Sequence, residues 1–364
     1  LRVSRAAGIM ALPDHALTAP TDEVVELADD SPEALLELLA TRGWGDGLPV
    51  VAPTRARVDA MLEGAGADPD QVLGVIPPRD GSATMRTVAV NAVLAGCPPA
   101  VLPVVAAAVE ALTHPEVNLR GVQATTHPVA PLVIVHGEAV DRLGFNAGVG
   151  AFGPGTRANA TVGRAVRFVL LHVGGARPGA GDASTQGQPS KYTYCVAEQA
   201  AASPWPAYHR SRGVDAASAV TVACGENPHN AHDMESDEPA RLLTKVASVM
   251  ATLGSNNAPI SQGEFFVALC PEHAATIAGH GWSRADVQSF LYERARLPRG
   301  VLRRAFDAVA WQPWLAAIDD DDALLPMTDH PDNVRVLVVG GPGKHSCVIP
   351  SWGMTKSVTV PVQA

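Results

Sequence analysis

Basic charge, paired cysteines and unbroken apolar runs are all scarce in this chain, and each scarcity removes a class of function. Lys and Arg number 27 against 37 Asp and Glu, a formal net charge of −10. Such a chain has no cationic footprint for a phosphodiester backbone, so nucleic acid is not an expected partner. The five cysteines, Cys97, Cys195, Cys224, Cys270 and Cys347, are odd in number and form no C-x-x-C. They read as free thiols of a reducing cytoplasm rather than a disulfide framework. The longest uncharged stretch, Thr87 to Val109, is 23 residues but contains Asn91, Gly96, Pro98, Pro99 and Pro103. The glycine and the Pro-Pro pair split it into two buried helices, which leaves no membrane span. Leu1 to Ile9 carry Arg2 and Arg5, lack an apolar run and precede Met10; no structural role is assigned to them.

Hydrophobic residues, by contrast, make up 47% of 364 positions, enough for one large core or two smaller ones. Ser31-Pro32-Glu33, leucines at 35, 36, 38 and 39, and Gly43 predict a capped amphipathic helix. Further along, the pattern predicts helices over about 84–96 and 100–113, a strand over 131–136, and a helix from Arg157. Beyond Ser236 come a helix to Leu253, a strand over 265–269, a helix over 271–280, a capping box at Ser283–Asp286 and a strand over 334–339. Strands alternating with helices give an α/β fold of mixed sheets with flanking helices, in two intimately packed subdomains. The expected division is an N-terminal extension over 1–30, poorly ordered or arm-like, a glycine-rich anion- or substrate-binding domain over 31–230, and a C-terminal subdomain over 231–364. No repeat of 20 to 50 residues is evident.

Four constellations offer chemistry. In the first, Asn146 to Asn159 hold glycines at 148, 150 and 153, but no βαβ unit with a ribose-binding acid accompanies this G-x-G-x-x-G. Backbone N–H groups of Gly153 and Gly155 at a helix start, with Arg157 and Arg164 seven residues apart on one helix face, suit a carboxylate or phosphate. The alternative is a packed loop whose arginines bind protein carboxylates. In the second, an extended Tyr192–Cys195 places Lys191, Thr193 and Cys195 on one face, where the ammonium would activate the thiol; a buried strand-filling cysteine is the alternative. In the third, His229 and His232 lie between Cys224 and the acids Asp233 and Glu235. Ser236-Asp237-Glu238-Pro239 reads as the acidic first turn of the next helix, so no metal is expected. The fourth is a pair of strand ends, Cys270-Pro271-Glu272-His273 and Gly340 to Cys347, which place His273 and His345 as acid/base groups. The glycines and Lys344 there form an anion nest, not a Walker A loop.

The strings Gly43-Trp44-Gly45-Asp46-Gly47-Leu48-Pro49-Val50, Asn91 to Cys97, Gly153 to Arg164, Gly187 to Cys195, Ser203-Pro204-Trp205 and Gly340 to His345 resemble a poorly characterised bacterial family. Its members occur beside or fused to small thioredoxin-like proteins with a U-G-S-C or C-G-S-C motif. The similarity spans about residues 35 to 360. It implies Asp46, Asn91, Cys97, Arg157, Asn159, Arg164, Lys191 and Cys195 as site residues, and a thioredoxin-like partner. The chain has no C-G-S-C of its own, so such a partner would be a separate polypeptide.

These readings predict a cytoplasmic, homo-oligomeric enzyme that needs no cofactor and acts on a small anionic metabolite. Asp46, Asn91, Gly153, Gly155, Arg157, Asn159 and Arg164 bind the substrate. Cys195 or Cys97 supplies a thiol, Lys191 tunes it, and His273 or His345 moves protons, in cleavage or transfer at a carbon–heteroatom bond. Metal-dependent hydrolysis or hydration, and a non-catalytic subunit presenting substrate to a redox partner, are the alternatives.

Overall fold

The structure is a computed structural model that describes residues 8–10, 24–26 and 31–363. Most of the expected 1–30 extension lies outside the described residues. Gly8–Met10 and Val24–Glu26 pair antiparallel, so Gly8 and Ile9 do take part in structure. The Met10 N–H donates to the Pro53 carbonyl at 3.0 Å.

Helix α1 is Pro32–Arg42, with Ser31 Oγ accepting from the Ala34 N–H and Gly43 ending it at φ 62°. After α2 (Arg55–Gly64) and a hairpin of Val72–Ile76 with Gly81–Thr84, the uncharged stretch forms α3 (Met85–Ala95) and α4 (Leu102–Thr113). The break between them is Gly96, left-handed at φ 87°, followed by the proline pair. Nine of the twelve residues of α4 are buried, which is why its sequence is apolar on every face. Among the described residues no single helix is long and apolar enough to cross a membrane.

Eight strands form two four-stranded sheets. β1 (Ala130–Gly137), β2 (Cys195–Ala197), β3 (Ser218–Gly225) and β4 (His229–His232) come from the first part of the chain. β5 (Phe265–Leu269), β6 (Val334–Val338), β7 (His345–Pro350) and β8 (Val358–Pro361) come from the second. One sheet has the order β8-β3-β1-β2 and the other β4-β7-β5-β6. In both, the first two pairings are antiparallel and the last is parallel, with Val133 opposite Cys195 in one and Val267 opposite Val336 in the other. The fourth strand of each half thus belongs to the other half's sheet. The helices follow the same duplication. α4 covers β3 and β8 while α6 (Pro239–Met250) covers β7 and β4, and α5 (Arg157–His172) lies on β2 as α7 (Arg284–Arg294) lies on β6. The repeated unit exceeds 100 residues in length and leaves no obvious trace in the sequence.

Strand alternation makes four layers of this arrangement. Val133 and Val135 face the first helical layer, and Val267 and Leu269 face the second. Between them, Leu132, Ile134, Phe266 and Leu337 pack sheet against sheet. The fold is therefore α/β with mixed sheets and flanking helices. The boundary expected at 230/231 falls inside β4, the strand that crosses to the other sheet.

That layer between the sheets also holds polar groups. Arg335 donates from Nε and Nη2 to Glu264 Oε1 at 3.0 and 2.7 Å, with both side chains at most 7% exposed. His136 and Glu198 form a second buried pair at 2.7 Å.

Candidate functional site

Two clefts adjoin along the segment Pro189–Lys191. The larger, about 760 Å³, is lined by Gly45, Asp46, Arg167, Asp182 and the run Ser184–Pro189 with Lys191 and Tyr192. The smaller, about 390 Å³, is lined by Phe152, Gly153, Asn159, Ser190, Tyr194, Cys195 and Asn227. A third cavity, of about 270 Å³ beside α3 and α4, is lined by Asp68 and Glu110 but by no Lys, Arg or His.

In the larger cleft Lys191 Nζ donates to both oxygens of Asp182 at 2.8 Å, and Arg167 Nη2 donates to the same carboxylate at 3.0 Å. The three side chains are 13, 5 and 14% exposed for Arg167, Asp182 and Lys191. Two cations therefore share one anion in a largely dry wall. Burial pushes the Lys191 amine below its usual range and Arg167 adds to this, against the opposing pull of Asp182. Burial would raise Asp182, but the bonds and charge of Lys191, the Ser184 N–H and Arg167 outweigh it and hold the carboxyl low.

Asp46 is held at the cleft rim by α5. Arg164 clasps its two oxygens through Nε and Nη2, both at 2.7 Å, and also donates to the Pro49 and Leu48 carbonyls. This geometry gives Arg164 protein partners in place of the expected ligand anion, as in the alternative weighed for the loop arginines. Arg157 likewise donates from Nε to the Gly96 carbonyl at 2.9 Å. Asn159 accepts from the Asn146 N–H at 2.8 Å and donates to the Asn146 and Ala151 carbonyls, which ties the glycine loop to the first turn of α5. Gly153 closes a turn on the Gly150 carbonyl and Gly155 takes φ 116°. Asn91 is buried behind the site, where its Oδ1 meets His172 Nδ1 at 2.6 Å and His172 Nε2 meets the Trp44 carbonyl at 2.7 Å.

Lys191 and Cys195 are not brought together. Pro189–Lys191 is a 3-10 turn, Tyr192 continues it at φ −77°, ψ −46°, and only Cys195–Ala197 is extended. Lys191 consequently turns to Asp182, while Cys195 points from β2 into the helical layer. Burial pushes the Cys195 thiol far up, and the Cys97 thiol up to about 12 despite Thr161 and Arg157 beside it. Neither is an activated nucleophile in this arrangement. Iodoacetamide at neutral pH is accordingly expected to leave Cys195 unmodified in the native protein, with alkylation of all five cysteines once urea is added. Peptide mapping checks this.

The two strand-end motifs meet each other rather than a cleft. The Cys270 N–H donates to Ser346 Oγ at 3.0 Å, His273 Nδ1 lies 2.7 Å from the same oxygen, and His273 Nε2 lies 3.0 Å from the Asp233 carbonyl. Burial opposes ionisation of Cys270, but His273 and Ser346 outweigh it and draw this thiol down. The group is nevertheless closed, with Cys270 at 1% and His273 at 2% exposure. The anion nest is real and filled from within, since Glu272 accepts from the Gly343 and Lys344 N–H groups. His345 is exposed, with Nδ1 2.9 Å from Asn230 Oδ1 and its ring 5.3 Å from that of His232. His229 and His232 sit on β4 three residues apart, hence on opposite faces, so they do not share an ion. Ser236 and Asp237 precede α6 rather than forming its first turn; Glu238 is the N-cap residue, with no side-chain cap bond.

Of the groups now in the larger cleft, the sequence pointed to Asp46 and Lys191 and missed Arg167 and Asp182. Arg167 stands three residues beyond Arg164 on one helix face, a signal that was available. Asp182 opens the polar segment that runs to Lys191 and Cys195, but nothing in the sequence pairs it with Lys191. The site is thus a polar cleft at the edge of a four-layer αββα sandwich, lined by two cations, Arg167 and Lys191, and two carboxylates, Asp46 and Asp182. Comparison with protein-family models, curated proteins and solved structures finds no match to this chain.

Proposed function

We propose that the chain is an enzyme that holds a small anionic metabolite in the 760 Å³ cleft and uses Lys191 to move a proton in cleavage of a carbon–heteroatom bond. The observation that carries this reading is the Lys191–Asp182–Arg167 cluster in the cleft wall. With both cations charged the cluster sums to plus one, Asp46 at the rim is matched by Arg164, and when Lys191 is the neutral base Arg167 remains as the fixed cation for a carboxylate or phosphate ligand. Ser184, Thr185, Gln186 and Gln188 line the same space with donors and acceptors for hydroxyl or carboxyl oxygens.

Burial, joined by the charge of Arg167, works on Lys191 in the direction of the neutral amine that a general base requires. In the elimination this suits, Lys191 takes the proton from the carbon beside the substrate carboxylate. The C–H electron pair becomes the new C=C bond, and the heteroatom group leaves with the pair of its own bond and a proton from the ammonium. Arg167 stabilises the charge that develops on the carboxylate, and Asp182 orients the amine.

A thermal-shift screen with small mono- and dicarboxylates and phosphate monoesters is expected to find a stabilising ligand, because a ligand stabilises the state it binds. Lys191→Met should keep the fold, since Arg167 still neutralises Asp182. It should lower turnover of the ligand that is cleaved by about 10²- to 10⁴-fold, the usual worth of a general base. Turnover in Lys191→Met within threefold of the parent, at unchanged ligand affinity, would remove the lysine mechanism.

A further inference from the structure

We propose that His136, Glu198 and His209 form a buried site for one divalent transition-metal ion of the zinc class, separate from the cleft. His136 is the penultimate residue of β1, Glu198 follows β2, and His209 stands in the short helix Tyr208–Ser211 on the crossover to β3. One ligand atom from each lies within 4.8 Å of the other two. All three residues are at most 2% exposed.

His209 supplies an independent reason. Its Nε2 lies 3.2 Å from the Ala216 carbonyl, which can only accept, so this nitrogen carries the proton. Nδ1 then presents a lone pair, and this atom is buried with no hydrogen-bond partner among the described residues. Leaving such an acceptor unpaired out of water is costly, and an ion at the cluster removes that cost. His136 is held in a matching way. Its Nε2 is 2.8 Å from Thr221 Oγ1, which is 2.9 Å from Thr359 Oγ1, and its Nδ1 is hydrogen-bonded to Glu198 Oε2 at 2.7 Å, where an ion would take the place of the shared proton.

Each imidazole thus has its far nitrogen anchored by a group that is not a ligand, and Glu198 is anchored by the Tyr208 N–H at 2.8 and 3.1 Å. Anchoring of that kind orients metal ligands. Two imidazoles and one carboxylate suit zinc, cobalt, iron or manganese, whereas calcium and magnesium require mainly oxygen. The ion would clamp the 198–218 crossover onto its sheet.

The test uses tag-free, full-length protein produced in medium supplemented with zinc or cobalt. Elemental analysis should give about one equivalent of metal per chain, and the cobalt form should show visible d–d bands. His209→Gln should lose both, while His232→Ala/His345→Ala keeps both, which separates the buried site from the exposed histidine pair. Thr221→Val retains every ligand and should weaken retention against a chelator by about ten- to a hundredfold. Dialysis against dipicolinate should lower the melting temperature of the unmodified protein, a measurement that needs no variant to fold. Metal-free unmodified protein with no cobalt spectrum, or an ion retained in His209→Gln, would overturn the proposal; a chelator without effect on melting would do the same.

Discussion

Replacing Arg335 by methionine is expected to destabilise the protein by about 3–5 kcal/mol, the range for breaking a buried ion pair from one side. Glu264 is 1% exposed and receives both guanidinium bonds on one oxygen, while its other oxygen accepts from the Ser357 N–H at 2.9 Å. Without Arg335 the carboxylate stays between the sheets with a single neutral donor, so it must either remain charged at high cost or take up a proton. Glu264→Gln in the same chain should recover more than half of the loss, because the amide keeps an acceptor for Ser357 and carries no charge. Urea midpoints of the two variants and the parent decide this. Equal losses in the single and double variants would mean that Arg335 acts by packing alone.

The pair also illustrates what the sequence could not disclose. Arg335 follows Val334 within an apolar strand, and Glu264 precedes Phe265-Phe266; each reads as an isolated charge at a strand end. Their meeting depends on β5 and β6 being parallel neighbours, with Phe266 opposite Arg335. The same holds for Asp46 with Arg164 and for Lys191 with Asp182, where the partner is fixed by tertiary structure. Local signals fared better. Ser31 and Gly43 bound α1, the break at Gly96–Pro99 separates α3 from α4, and Ser283 with Asp286 forms the capping box at α7.

Strands with little apolar alternation were the hardest to read. β4 is His-Asn-Ala-His, an edge strand that buries only Ala231, and nothing in those four residues favours extension over a loop. It is made a strand by pairing with β7, where Ala231 stands opposite Ser346. The extended reading of Tyr192–Cys195 failed for the opposite reason. Pro189, at a favoured first position of a tight helical turn, starts a 3-10 segment that rotates Lys191 away from Cys195. The duplicated architecture is legible only in the sheet order, since packing two α/β halves face to face asks for a pattern of layers and not for repeated residues.

Gly137→Ala should cost about 3 kcal/mol or more, although it adds one methyl group at a strand end. Gly137 has φ 77°, and a Cβ there would stand 2.1 Å from the Ala217 carbonyl oxygen and 3.1 Å from Ser218 Cα. That carbonyl cannot easily yield. It accepts from the Glu138 N–H at 2.9 Å, and next to it Ser218 Oγ accepts from the Ala139 N–H at 2.9 Å. Gly144→Ala is the internal control, because φ is 70° there and no atom of the described residues beyond its own neighbours lies within 4 Å of the added carbon. Left-handed strain alone should cost Gly144→Ala about 1–2 kcal/mol, so the excess in Gly137→Ala measures the clash. The consequence reaches the metal proposal, since opening the β1–β3 pairing at Gly137–Ser218 displaces the neighbouring His136 ring from Thr221 and Glu198. Gly137→Ala protein that still folds should therefore lose zinc more readily than Gly144→Ala protein. Equal melting temperatures for the two variants would show instead that the strand end relaxes around the methyl group.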